Sequence, residues 1–182
     1  HPLFPVGEQI AEAITSHGSL GRRQAQDRAI ALMETVGIRD AAQRAGAYPH
    51  QLSGGQRQRI GIAMAIANDP DVIIADEPTT ALDVTVQAKI LDLLQELRRE
   101  RGLALLLITH DFGVVAQVCD RVAVMKDGEI VEQGRTEDVL NAPRHDYTRR
   151  LIACVPQPGQ GHRFLEHVRP LFPGAGKREA AS

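Results

Sequence analysis

Apolar positions recur at helical spacing through the opening of the chain and gather into short continuous runs after it. Val6, Ile10, Ala13 and Ile14 form one stripe, which Gly18 is expected to end. Ala25, Ala29, Leu32, Met33 and Val36 form a second stripe, predicting a helix over 22–36 with Gly37 as its C-cap. A polar loop through Gly46 and Pro49 leads to Leu52. From there the pattern alternates: helix 54–68, strand 71–76, helix 84–101, strand 103–109, helix 111–118. Runs such as Val72–Ala75 and Leu103–Ile108 are apolar throughout, which predicts parallel strands covered on both faces. Arg121–Lys126 and Glu129–Gln133 flank Asp127-Gly128, a hairpin signal, and short helices follow around 136–141 and 146–154. After Val155 the chain carries four prolines and four glycines and is expected to be a poorly ordered extension.

Composition narrows the possibilities. At 182 residues the chain can bury a core of its own as one domain, or a domain with a subdomain. Lys and Arg total 21 against 23 Asp and Glu, a net charge of −2, which argues against binding nucleic acid through a basic surface. Leu103–Ile108, the longest strongly apolar run, is far too short to cross a bilayer, and no signal-peptide pattern opens the chain. Cys119 and Cys154 lack the spacing of a disulfide framework or a zinc site and are expected to be small buried apolar residues. A soluble cytoplasmic protein is the expectation. Because it opens on His1-Pro2 without a methionine, the chain is also expected to be a fragment.

The chemistry concentrates between Leu52 and Asp83. Leu52-Ser53-Gly54-Gly55-Gln56 precedes a helix directly. Ser53 can cap that helix, two glycines let the backbone approach a phosphate, and the helix start presents N–H groups and a positive dipole end to an anion. An ordinary Ser-capped helix would read the same over Ser-Gly-Gly alone. Farther on, Val72-Ile73-Ile74-Ala75 runs into Asp76-Glu77-Pro78. Carboxylates at the C-terminal end of a buried parallel strand sit where nucleotide sites form in α/β sheets. Two solvated acids before a turn are the plain alternative.

The full string with Arg57-Gln58-Arg59 resembles the signature motif of the ABC ATPases, and the carboxylates resemble the Walker B motif of the same family. The resemblance implies an α/β fold: part of a P-loop NTPase core with a parallel sheet, preceded by an α-helical signature subdomain. Residues 1–60 would be that subdomain, 61–155 the RecA-like portion and 156–182 the Pro/Gly-rich extension. Asp76 would support Mg2+ directly or through water, and Glu77 would polarise the attacking water. Thr79-Thr80-Ala81-Leu82-Asp83 resembles the D-loop, with threonine where a serine is usual at Thr80. Asp83 would contact the opposite subunit, and it can equally cap helix 84–101. His110, at the end of strand 103–109, matches the switch histidine, implied to contact the γ-phosphate and to hold the water-activating glutamate. Ser53, Gly54, Gly55 and Gln56 would close over ATP held by a second ATPase subunit.

One expected element is missing from these residues. No G-x-x-x-x-G-K-[ST] occurs. Near Gly176-Lys177, Leu171 stands where the first glycine belongs and Arg178 where Ser or Thr is required. The family's Walker A motif and Q-loop lie upstream of the helical subdomain, so the chain is expected to be N-terminally truncated and inactive alone. It is also expected to be marginal in stability, its sheet lacking a strand beside Leu103–Ile108.

Gly134-Arg135-Thr136-Glu137-Asp138-Val139-Leu140 and Pro143-Arg144-His145-Asp146-Tyr147-Thr148 look like the oligopeptide and dipeptide importers, with Asp146 replacing a usual proline. Related systems import nickel or glutathione. The implied partners are membrane permease subunits and, indirectly, a substrate-binding protein, with no nucleic acid, at the cytoplasmic face of the membrane. Two other readings stand beside it: a soluble ABC ATPase of DNA repair or translation, and a non-catalytic partner supplying only a signature face.

Overall fold

A computed structural model of the chain describes residues 1–16 and 20–154. Gly18 and the Pro/Gly-rich extension lie outside the described residues. The chain divides into two compact units between Ile108 and Thr109.

The first unit opens with helices α1 (Val6–Thr15) and α2 (Arg22–Thr35). Val6, Ile10 and Ile14 project from one side of α1 into a core shared with Ala25, Ala29, Leu32 and Met33 of α2. Gly7 admits a close approach there: a Cβ on it would lie 2.8 Å from the Ala45 Cβ, and its N–H donates to the Ala45 carbonyl at 2.9 Å. Gly37 ends α2 as its sequence predicts, at φ 77°. The Gly37 N–H bonds the Glu34 carbonyl and the Ile38 N–H the Met33 carbonyl, which is the Schellman arrangement. The stretch read as a loop is partly ordered, with helix α3 (Ala41–Arg44) and a 3₁₀ turn at Pro49–Gln51. Such short pieces carry too few apolar repeats to show in a periodicity.

Helix α4 (Gly54–Ala65) leads to strand β1 (Val72–Asp76), helix α5 (Val84–Arg101) and strand β2 (Ala104–Ile108). β1 and β2 pair in parallel, Val72 opposite Ala104 and Asp76 opposite Ile108. Asp69, between α4 and β1, accepts from Arg28 at 2.6 Å and Arg101 at 2.8 Å. Asp69 thereby links Arg101 at the end of α5 to Arg28 of α2, although an exposed pair of this kind contributes only about 0–1 kcal/mol.

The expectation of a sheet covered on both faces is corrected here. Ile73 and Ala75, with Leu105 and Leu107 beside them, pack on the core formed with Ile90, Leu93, Leu94 and Leu97 of α5. The opposite face bears Val72, Ile74, Leu106 and Ile108, and Ile74 is 67% exposed. A run apolar on both faces therefore has only one of them buried among the described residues.

In the second unit, helix α6 (Phe112–Val118) precedes a hairpin of β3 (Arg121–Lys126) and β4 (Glu129–Arg135). Asp127 and Gly128 both adopt positive φ, 52° and 86°, as a two-residue turn of this twist requires. Helices α7 (Thr136–Asn141) and α8 (Asp146–Ala153) complete it. The Glu132 carboxylate on β4 accepts the Arg144 N–H at 2.7 Å and the His145 N–H at 3.0 Å, and the His145 imidazole caps α8. The Arg144 N–H, foremost, holds the Glu132 carboxyl below its ordinary value. That anchor is in place above the ordinary carboxylate pKa and is lost as pH falls through the lowered one. Cys119 and Cys154 are half-buried and unbridged, not enclosed as expected.

Candidate functional site

The site begins with the local chemistry of α4. Ser53 caps it: its hydroxyl accepts the Gln56 N–H at 3.3 Å, and the Gln56 side chain accepts the Ser53 N–H at 3.0 Å. This reciprocal capping box fixes the direction in which the helix starts. Arg57 donates to the Leu52 carbonyl at 2.7 Å, holding the approach to the cap, and Arg59 donates to the Val36 carbonyl at the end of α2. The two arginines of the signature string thereby have structural partners, a role that spacing alone does not reveal.

Gly54 and Gly55 form the first turn, at the positive end of the α4 dipole. Their lack of side chains is used on the inner side. A Cβ on Gly54 would lie 3.2 Å from Leu82 Cδ2, and one on Gly55 would lie 2.6 Å from Val86 Cγ1. The segment before α5 and the start of α5 therefore seat the start of α4. Alanine ordinarily gains about 0.5–1 kcal/mol over glycine inside a helix. Gly55→Ala should reverse that sign and destabilise the chain by about 1–3 kcal/mol through overpacking, read from urea unfolding, with Val86→Ala restoring the midpoint. An unchanged midpoint in Gly55→Ala would show that the approach is looser than 2.6 Å.

Asp76 and Glu77 leave the C-terminal end of β1. Asp76 is exposed and Glu77 half-buried. Glu77 has φ 47°, a left-handed backbone conformation that a residue before proline rarely takes. Its N–H donates to the Ile108 carbonyl at 2.9 Å, extending the strand pairing by one residue. Its carboxylate accepts the Thr80 hydroxyl at 2.6 Å, and its carbonyl accepts the Thr80 N–H at 3.1 Å. Ala81 also lies at positive φ, 62°. Asp83 then caps α5, its carboxylate accepting the Val86 N–H at 2.9 Å.

The first unit thus brings the Ser53–Gln56 turn against the segment that links Asp76-Glu77 to α5. His110 belongs to the second unit, exposed, just before Asp111, which caps α6. Among the described residues no three His, Cys, Asp or Glu side chains gather as a metal cage. Asp76 presents an exposed carboxylate at the C-terminal end of β1. No helix is long and apolar enough to cross a membrane among those described.

Comparison with known proteins is consistent along the chain. Residues 3–80 match the ABC transporter family, and residues 131–179 match the C-terminal region of oligopeptide/dipeptide transporters. The chain is 51% identical over 159 residues to a proposed peptide import ATP-binding protein of Brucella melitensis, covering 87% of this chain and 47% of that one. It is 53% identical over 159 residues to the glutathione import ATP-binding protein GsiA of Escherichia coli K12, covering 87% of this chain and 26% of the relative. The chain therefore spans about half the length of the first of these, or less. Among solved structures, the ATP-binding cassette MJ0796 in a dimeric post-hydrolysis state with ADP and Pi superposes with TM-score 0.65 at 34% identity. That match covers 75% of this chain and 58% of the other.

Proposed function

The chain belongs to the ABC transporter ATP-binding family, and from that premise we propose that it is the signature-bearing part of an ATP-hydrolysing subunit of a peptide importer. Glutathione or nickel are related cargoes. The observation that carries the reading is the seating of the Ser53–Gln56 turn against the segment that carries Glu77 and Asp83. Signature and D-loop motifs lie in different parts of the sequence, and the fold joins them within one unit.

In this reading residues 1–60 form the signature subdomain and 61–155 belong to the nucleotide-binding core. Ser53, Gly54, Gly55 and Gln56 face ATP held by a second ATPase subunit, supplying N–H groups and a helix dipole to its phosphates. Asp76, Glu77 and His110 act on nucleotide in their own subunit. Glu77 takes the proton of the attacking water as its oxygen bonds to the γ-phosphorus and ADP leaves. His110 contacts the γ-phosphate. Asp76 holds Mg2+, directly or through water; when bound, the ion neutralises charge on the phosphate oxygens. Asp83 joins the subunit contact while capping α5. Permease subunits, and through them a substrate-binding protein, would receive the closing motion at the cytoplasmic face of the membrane.

His110→Ala tests the assignment in a complete subunit. Phosphate release should nearly vanish with the thermal unfolding midpoint unchanged. A fully active variant would remove His110 from the site. Glu77 and His110 variants that leave the rate of the assembled pair untouched would instead assign the chain as a non-catalytic partner that supplies only the signature face.

A further inference from the structure

We propose that Thr80 is a positioning residue for water activation, its hydroxyl fixing the carboxylate of Glu77 in the orientation that hydrolysis needs. This rests on the ATPase reading above and adds to it a residue whose role lies outside nucleotide contact.

The geometry comes from one short turn. Glu77 and Thr80 are three residues apart, and the Thr80 N–H closes the turn on the Glu77 carbonyl at 3.1 Å. The same residue sends its hydroxyl to Glu77 Oε2 at 2.6 Å, within the range of a charge-assisted O–H···O bond. Backbone and side chain thus grip one residue twice. Glu77 needs such a grip, because its backbone stands at φ 47°, in a conformation that persists only when surroundings over-determine it. Its N–H is fixed from the other side by the Ile108 carbonyl at 2.9 Å. Peptide and carboxylate are therefore held by different partners, and the carboxylate hold comes from a side chain that can be removed without touching the ladder.

Two opposing effects set the outcome. A donor on a carboxylate lowers its basicity, which by itself slows proton abstraction. Freezing the carboxylate plane avoids an ordering cost in the transition state, and misplacement by about 1 Å can cost about 10²-fold. One hydroxyl bond changes basicity by a modest factor, whereas misorientation costs about 10²-fold, so removing the hydroxyl should slow the reaction. A β-branched residue at this position has few χ1 choices, so the hydroxyl is aimed before nucleotide arrives.

The test compares Thr80→Val, which keeps shape and loses the donor, with Thr80→Ser, which keeps the donor. In the complete subunit Thr80→Val should lower kcat about 10- to 100-fold with KM for ATP unchanged. Thr80→Ser should restore most of the rate, and both should unfold at the wild-type temperature. A second measurement uses the 182-residue chain itself: the Glu77 side-chain carboxyl carbon resonance at neutral pH should move in Thr80→Val and stay in place in Thr80→Ser. An unmoved resonance in Thr80→Val overturns the contact. A moved resonance with unchanged kcat overturns the positioning role. A complete wild-type subunit that hydrolyses no ATP defeats the ATPase reading instead, while the resonance still decides the contact.

Discussion

Replacing Glu77 with Gln is expected to slow ATP hydrolysis by the complete subunit about 10²–10⁴-fold while nucleotide binding persists. Glutamine keeps the length of the side chain and can still accept the Thr80 hydroxyl, so the hold seen at 2.6 Å survives. What disappears is the capacity to take a proton. The left-handed backbone at Glu77 places no demand on side-chain charge, and the hydrogen bond that its N–H donates to the Ile108 carbonyl is unaffected. Steady-state phosphate release read beside equilibrium binding of a fluorescent ATP analogue separates these effects. Loss of binding together with rate would assign Glu77 to nucleotide contact, and an unchanged rate would exclude it as the base.

Leu97→Ala should destabilise the chain by about 2–5 kcal/mol. Leu97 is 1% exposed on α5, the helix that covers the only buried face of the strand pair among the described residues. Its neighbours in the core, Ile90, Leu93 and Leu94, are held by the same helix and cannot close the cavity independently. Domains of this size are stable by only about 5–15 kcal/mol, so such a loss is a large share of the total. Urea denaturation followed by circular dichroism measures it. A cost below about 1 kcal/mol would mean that α5 packs on the sheet more loosely than its burial indicates.

Much of this fold is legible in the sequence, for reasons that differ by element. Helix α5 carries its own boundaries, Asp83 as cap and Gly102 beyond its end, and the observed span of Val84–Arg101 matches the expected one. The Asp-Gly turn sets the hairpin register in the same local way. Coverage of the sheet was not legible, because an apolar run states what could be buried rather than what is. Ile74 and Leu106 look the same in sequence as Ile73 and Leu103, and only tertiary packing separates them. Of the candidate site, the caps at Ser53 and Asp83 were readable. The contacts of Gly54 with Leu82 and of Gly55 with Val86 were not, since they join positions about thirty residues apart with no local signal. The positive φ at Glu77 was also hidden, because proline after it argues for extended backbone.

The reading that these residues serve two nucleotide sites, Ser53–Gln56 facing a neighbour's ATP and Asp76-Glu77 their own, has one decisive measurement. Complete subunits carrying Glu77→Gln are mixed in equal amounts with subunits carrying Gly54→Asp, and the ATPase rate of the mixture is compared with each alone. Action across a subunit interface gathers both lesions of a mixed dimer into one site and leaves the other intact, so activity should reappear that neither variant has. A mixture no more active than its two components would contradict the shared arrangement.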